Sequence, residues 1–97
     1  MKLSQGLFLG FVKLHILHHA GKEPVYGLWL IEELARHGYR LSPGTLYPIL
    51  HSLEEEKLLT AESRVVEGKV RKYYLLTANG KTALAEAKAK ASELIAE

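Results

Sequence analysis

The chain has 97 residues, 47% of them hydrophobic and 25% charged, with a formal net charge of only +2. These values fit one globular domain with a modest core, and they exclude a polybasic coat while allowing cations gathered in one place. Without a cysteine or an aspartate there is no disulfide, no Cys-His pair and no Ser-His-Asp triad, and no run of about 18 apolar residues is present to span a membrane.

The start, Met1-Lys2-Leu3, lacks the small-residue cleavage site of a secretory signal, so a cytoplasmic location is expected. Ser4 to Ala20 reads as a helix stopped by Gly21. Leu7, Phe8, Leu9, Phe11, Val12, Leu14, Ile16 and Leu17 spread almost round it, so it needs cover on more than one side. A partner subunit would supply the remainder; a fully buried central helix in a monomer would need none. His15, His18 and His19 fall at metal-ligand spacing, but with no further ligand evident in the sequence no metal or cofactor is expected. Histidines near a helix C-terminus also suit the negative end of the dipole.

Glu23 to His37 reads as a second helix, ended by Gly38. Gly27, Leu30, Ile31 and Leu34 share its inner face. Trp29, the sole tryptophan, falls opposite, beside Glu32, Glu33 and Arg36, on what should be the wet face. An exposed tryptophan suggests an interface or a ligand cleft, unless neighbouring stems cover it. After the short turn Gly38-Tyr39-Arg40-Leu41 a third helix begins, with Ser42 as N-cap and Pro43 in its first turn. Leu46, Ile49, Leu50 and Leu53 form its apolar face. The other side carries Gly44, Thr45, Pro48, His51, Ser52 and Glu55, with Tyr47 on the flank, and the run Glu54-Glu55-Glu56 lies at the far end. Hydroxyls and free amides first, carboxylates last, suit an approach to DNA by the helix N-terminus. An ordinary surface helix with a solvated acidic end would show the same pattern.

Helix, short turn with glycine, helix is the helix-turn-helix arrangement. Leu59 to Val66 and Val70 to Leu76 follow as a hairpin around Glu67-Gly68-Lys69, with Gly68 supplying the positive φ of a tight turn. Such a hairpin is the wing of a winged helix. Arg64, Lys69, Arg71 and Lys72 gather near its tip, where they could reach phosphates. Tyr74 and Leu76 alternate onto one face and should pin the hairpin to the core. Thr77 can cap a last helix running to about Ala96. Leu84, Ala87, Ala91 and Leu94 repeat at three, four and three, the seam of a helix pair. The simplest partner for that seam is the first helix of a second subunit.

The runs Ser-Pro-Gly-Thr-Leu-Tyr-Pro-Ile-Leu at 42–50, Leu53-Glu54, Leu58-Leu59 and Gly68-Lys-Val-Arg-Lys-Tyr-Tyr-Leu-Leu-Thr77, with Tyr26-Gly27 upstream, resemble the PadR-like winged-helix transcriptional regulators. The resemblance covers nearly the whole chain and fits the family's short subfamily. It implies a dimer formed by the first and last helices, often with control by phenolic or drug-like compounds. Leu75 and Trp29 stand where the family usually has polar residues.

The resulting expectation is a mainly α fold with a small β-hairpin: a winged helix-turn-helix over residues 1–77 and a C-terminal dimerisation helix over 78–97, in one compact unit. The expected function is a sequence-specific, dimeric DNA-binding regulator that represses and is released by a small-molecule effector. A winged-helix protein-interaction module is the alternative; an enzyme is not expected. Expected DNA contacts are Ser42, Gly44, Thr45, Tyr47, His51, Lys69, Arg71 and Lys72, on a pseudo-palindromic operator. Leu7, Phe11, Leu84, Ala87, Ala91 and Leu94 are assigned to the dimer interface, and Trp29 to a cleft for a small aromatic effector.

Overall fold

A computed structural model describes residues 4–97, and Met1-Lys2-Leu3, from which the cytoplasmic expectation came, lies outside the described residues. The elements are α1 (Gln5–Ala20), α2 (Gly27–Arg36), α3 (Pro43–Glu55), β1 (Leu59–Val66), β2 (Lys69–Leu76) and α4 (Ala78–Ala96). This is the expected mainly α winged helix. Among the described residues no helix is long and apolar enough to cross a membrane.

Local chemistry sets most of these boundaries. Ser4 caps α1, its hydroxyl accepting from the Leu7 amide at 3.3 Å, and Gly21 closes the helix. α3 ends with Lys57 at φ 62°, while the Leu58 amide reaches back to the Leu53 carbonyl at 2.9 Å and turns the chain into β1. Thr77 caps α4: its oxygen accepts from Gly80 N–H at 2.9 Å, and its hydroxyl donates to the Lys57 carbonyl at 2.6 Å.

The second helix starts later than its periodicity suggests, at Gly27 rather than Glu23. The cause is a tertiary contact. Val25 N–H donates to the Tyr74 carbonyl at 3.0 Å and Tyr74 N–H to the Val25 carbonyl at 2.7 Å, so Val25 is held extended as a one-residue third strand. In the hairpin, Val66 pairs with Lys69, which leaves Glu67-Gly68 as the two-residue turn. Both turn residues have positive φ, 52° and 77°, as a type I′ turn requires. Lys69 therefore belongs to β2, not to the turn.

The core is built from the inner faces of all three N-terminal helices and the base of the wing. Val12, Ile16, Leu30, Leu34, Leu46, Leu50, Leu53 and the Tyr74 ring are almost wholly buried. Each buried aliphatic contributes about 1.5–3 kcal/mol relative to exposure. α1, apolar nearly all round, is only partly covered: Val12, Ile16 and Leu17 are buried, whereas Leu7 and Phe11 stay exposed.

α4 crosses back onto its own chain. Leu84 is buried in the core of its own subunit, and with Ala87 and Ala91 it faces Leu14, His15 and His18 of α1 across an apolar cleft of about 200 Å³. The expected seam thus divides, because α1 of the same chain is already in place for its first half. Beyond Ala91 every residue of α4 is exposed, Leu94 and Ile95 included.

Gly80 marks the tightest point of this packing. A methyl group there would overlap the Leu58 carbonyl oxygen and press on the Leu76 side chain. Because the obstacle is backbone, Gly80→Ala is expected to destabilise the fold by about 1–3 kcal/mol despite alanine's better helix propensity. Thermal unfolding should read this as a midpoint lowered by roughly 4–8 °C for each kcal/mol lost; an unchanged midpoint would show that the Leu58 carbonyl, just before β1, can shift freely.

Candidate nucleic-acid interface

α3 sinks Leu46, Ile49, Leu50 and Leu53 into the core, which turns its opposite face outward. Gly44, Thr45, Tyr47, Pro48 and His51 are exposed on that face. Its first turn contains no acidic residue. The Thr45 and Leu46 amides close onto the Ser42 carbonyl at 3.1 and 3.0 Å, Pro43 has no amide, and Gly44 presents its own at the open helix start. Ser42 occupies the N-cap position, but its hydroxyl does not accept from a first-turn amide as the sequence suggested. It donates to Thr45 Oγ1 at 3.3 Å, so the two hydroxyls form a small exposed polar pair. Pro48 stands inside α3, one turn after Gly44.

Tyr47 leans back over α2. A methyl group at Gly27 would overlap its hydroxyl, so glycine at 27 is what allows the ring to lie there. Tyr26, Gly27, Leu28 and Tyr47 line a polar cleft of about 240 Å³, completed by Val70, Arg71 and Lys72 of the wing. The wing and the exposed flank of α3 therefore meet at one place.

The cations of the wing differ in what they touch. The Arg71 guanidinium lies 4.0 Å above the Tyr26 ring and donates to the Tyr73 hydroxyl at 3.4 Å. That hydrogen bond is the main reason that its pKa stands above the ordinary arginine value. Arg64, opposite Arg71 in the hairpin, covers the Tyr73 ring at 4.6 Å and pairs with Glu62. Tyr26 and Tyr73 are themselves edge to face at 5.5 Å. Two arginines and two tyrosines thus hold one another in fixed orientation, which lowers the entropy lost on meeting a phosphate.

Lys72 emerges from the other side of β2. Its ammonium sits 3.5 Å from the Glu54 carboxylate at the end of α3 and 5.3 Å over the Tyr74 ring. It ties the wing to α3; Lys69, beside the turn, is exposed as well. Sequence reasoning grouped these lysines because their spacing is close; strand alternation separates Arg71 from Lys72. It also missed Tyr26 as a site residue, although the Tyr26-Gly27 pair was visible.

Trp29 is not on a wet face. Its ring is half-buried against the core, edge to face with His19 of α1 at 5.3 Å. α1 crosses α2 there, a contact that helical periodicity within α2 does not contain.

A helix-turn-helix with an open, uncharged recognition face and a basic hairpin at its flank defines a winged-helix DNA-binding protein. Residues 16–86 match the Transcriptional regulator PadR-like family. The chain is 55% identical over 86 residues to the transcriptional regulator Rv3488 of Mycobacterium tuberculosis, covering 89% of this chain and 80% of that one. Among solved structures it is similar to a PadR-like transcriptional regulator from Bacillus cereus, with a TM-score of 0.85 and 31% identity over 95% of this chain and 91% of that one. A PadR family regulator from Eggerthella lenta matches with a TM-score of 0.80 and 36% identity, over 93% of this chain and 80% of that one. The chain belongs to the PadR-like family of transcriptional regulators. That family is one of regulators rather than enzymes.

Proposed function

We propose that the protein is a cytoplasmic, homodimeric repressor that binds a pseudo-palindromic operator and is released by a small aromatic effector. The observation that carries the DNA-binding part is the outer face of α3, which is open, uncharged at its N-terminal half and flanked by the ordered cations of the wing. Ser42, Gly44, Thr45, Tyr47 and His51 meet the major groove, while Lys69 and Arg71 hold backbone phosphates. Residues 1–77 form the DNA-binding unit and 78–97 the dimerisation helix. A gel shift with the DNA upstream of its own gene tests this reading; a protein-interaction module of the same shape would leave that DNA unshifted.

The wing cations should contribute unequally. Lys69→Ala is expected to weaken binding to all sequences alike and to lower the slope of log affinity against log salt by about one. Lys72→Ala should lower it by less, since Lys72 already faces Glu54. A change in sequence preference with the slope intact would make the wing a base reader.

Support for the dimer comes from what one subunit leaves bare. Leu7 and Phe11 border an apolar groove of about 380 Å³ with Gly6, Gly10 and Leu14, and the α4 end offers exposed Leu94 and Ile95. In a two-fold dimer, a contact of one α4 end with the other subunit's groove would be made twice. Leu94 is exposed in the single chain, so Leu94→Glu should leave the fold intact and weaken only the dimer. Sedimentation at micromolar concentration reads the difference, and a wild-type species that stays at 10.9 kDa would reject the assembly.

The effector part rests on Trp29, half-buried where α2 meets α1. Stacking of a flat ligand there regulates only by binding the DNA-competent and incompetent arrangements unequally. Phenolic compounds should quench Trp29 emission and release DNA over the same concentration range; quenching without release would separate the ligand from control.

A further inference from the structure

The histidines of α1 gain partners that the sequence did not reveal. His18 turns toward α4, its ring nitrogen 3.3 Å from the Lys88 ammonium. His15 and His19, one turn apart, face instead the end of α2. There His37 joins them, and one nitrogen from each of the three rings lies within 4.8 Å of the others. Glu33, one turn before His37, places Oε2 3.1 Å from His37 Nε2 and 3.6 Å from His19 Nε2. Its other oxygen accepts from Arg36 at 3.2 Å, which fixes the carboxylate plane.

We propose that His15, His19, His37 and Glu33 form a binding site for one divalent transition-metal ion of the Zn²⁺ class. Three imidazoles and a carboxylate, with no thiolate, are the donor set of a borderline ion that takes four-fold coordination. Bonds of about 2.0–2.1 Å in a tetrahedron put neighbouring ligand atoms about 3.3 Å apart. The two carboxylate–imidazole separations, 3.1 and 3.6 Å, already bracket that value. The three ring nitrogens, within 4.8 Å of one another, would have to draw closer to reach that spacing.

A second observation points the same way. His19 Nε2 is buried and, among the described residues, lacks a hydrogen-bond partner. A buried polar atom left so is costly unless something else satisfies it. Burial is also the main reason that the His15 and His19 rings sit below the ordinary histidine pKa. Burial alone would raise the Glu33 carboxyl; the hydrogen bond with His37 and the charges of Arg36, His19 and His37 outweigh it and hold the carboxyl below its usual value. Arg36 and the Trp29 and Tyr39 rings, the latter 5.2 Å from His15, form the surroundings that orient the ligands.

The ion would clamp α1 to the end of α2, immediately before the turn into the recognition helix. Any consequence for operator affinity rests on the proposed DNA binding; metal binding does not. The test therefore reads the metal alone. ZnCl₂ is titrated into the full chain, prepared without an affinity tag, by calorimetry and by Trp29 emission. One ion per chain is expected, with a change in Trp29 emission at the same equivalence point, because that ring touches His19. The thermal midpoint should rise with added ZnCl₂, since only the folded chain brings the ligands together. His19→Gln and His37→Gln should each weaken binding by at least about tenfold, and His18→Gln should not. His37 is exposed, so its variant keeps the fold, as circular dichroism will confirm. No saturable binding below about 0.1 mM ZnCl₂, or binding that survives both substitutions, would overturn the site.

Discussion

The architecture depends on the burial of one side of α3. Leu46, Leu50 and Leu53 are at most 1% exposed, and Ile49 little more. A helix held this way cannot rotate about its axis without lifting several apolar side chains into water, at about 1.5–3 kcal/mol each. Its orientation is therefore fixed, and so is what it shows to the outside: Thr45, Tyr47 and His51, with the Gly44 amide at the leading end. The acidic end is kept away from that approach, partly engaged by Lys72. The proposed DNA contact needs side chains held in position, and the core supplies that condition.

The second anchor is Tyr74. Its buried ring and its two backbone bonds to Val25 join β2 to the chain just before α2. The wing is thus tied at its base to the first helix of the helix-turn-helix and, through Lys72, to the second. The tip is left free to carry Lys69, while the arginines above it are ordered by tyrosine rings. The exposed apolar residues of α1 and α4 lie elsewhere, so the proposed assembly and the proposed DNA contact use different parts of the chain.

Much of this was legible in the sequence wherever the signal was local. Ser4 and Gly21 bounded α1, Ser42-Pro43 began α3, Thr77 began α4, and strand alternation put Tyr74 inward. Most of the errors involve partners distant in sequence; the Ser42 hydroxyl, which turns to Thr45 three residues on, is a local one. Val25 looks like the start of a helix until Tyr74 pairs with it. Leu84 has the spacing of an intersubunit seam, but α1 of the same chain reaches it first. Trp29 lies opposite the leucines of α2, yet α1 covers that side. His37 and Glu33 are 14 or more positions from His19, and only the crossing of α1 over α2 brings them to it. Within the proposed DNA face, residue types were readable, but which wing cation has a carboxylate partner among the described residues was not. That depends on strand register and on Glu54, a residue of another element.

The most direct test of the account is amide chemical-shift mapping of the full chain with DNA from upstream of its own gene. The recognition surface predicted here would shift Gly44, Thr45, Tyr47 and His51 in α3 together with Lys69 and Arg71 in the wing, and would leave the buried core and the far end of α4 unmoved. Shifts confined to α1 and α4, with α3 silent, would contradict it.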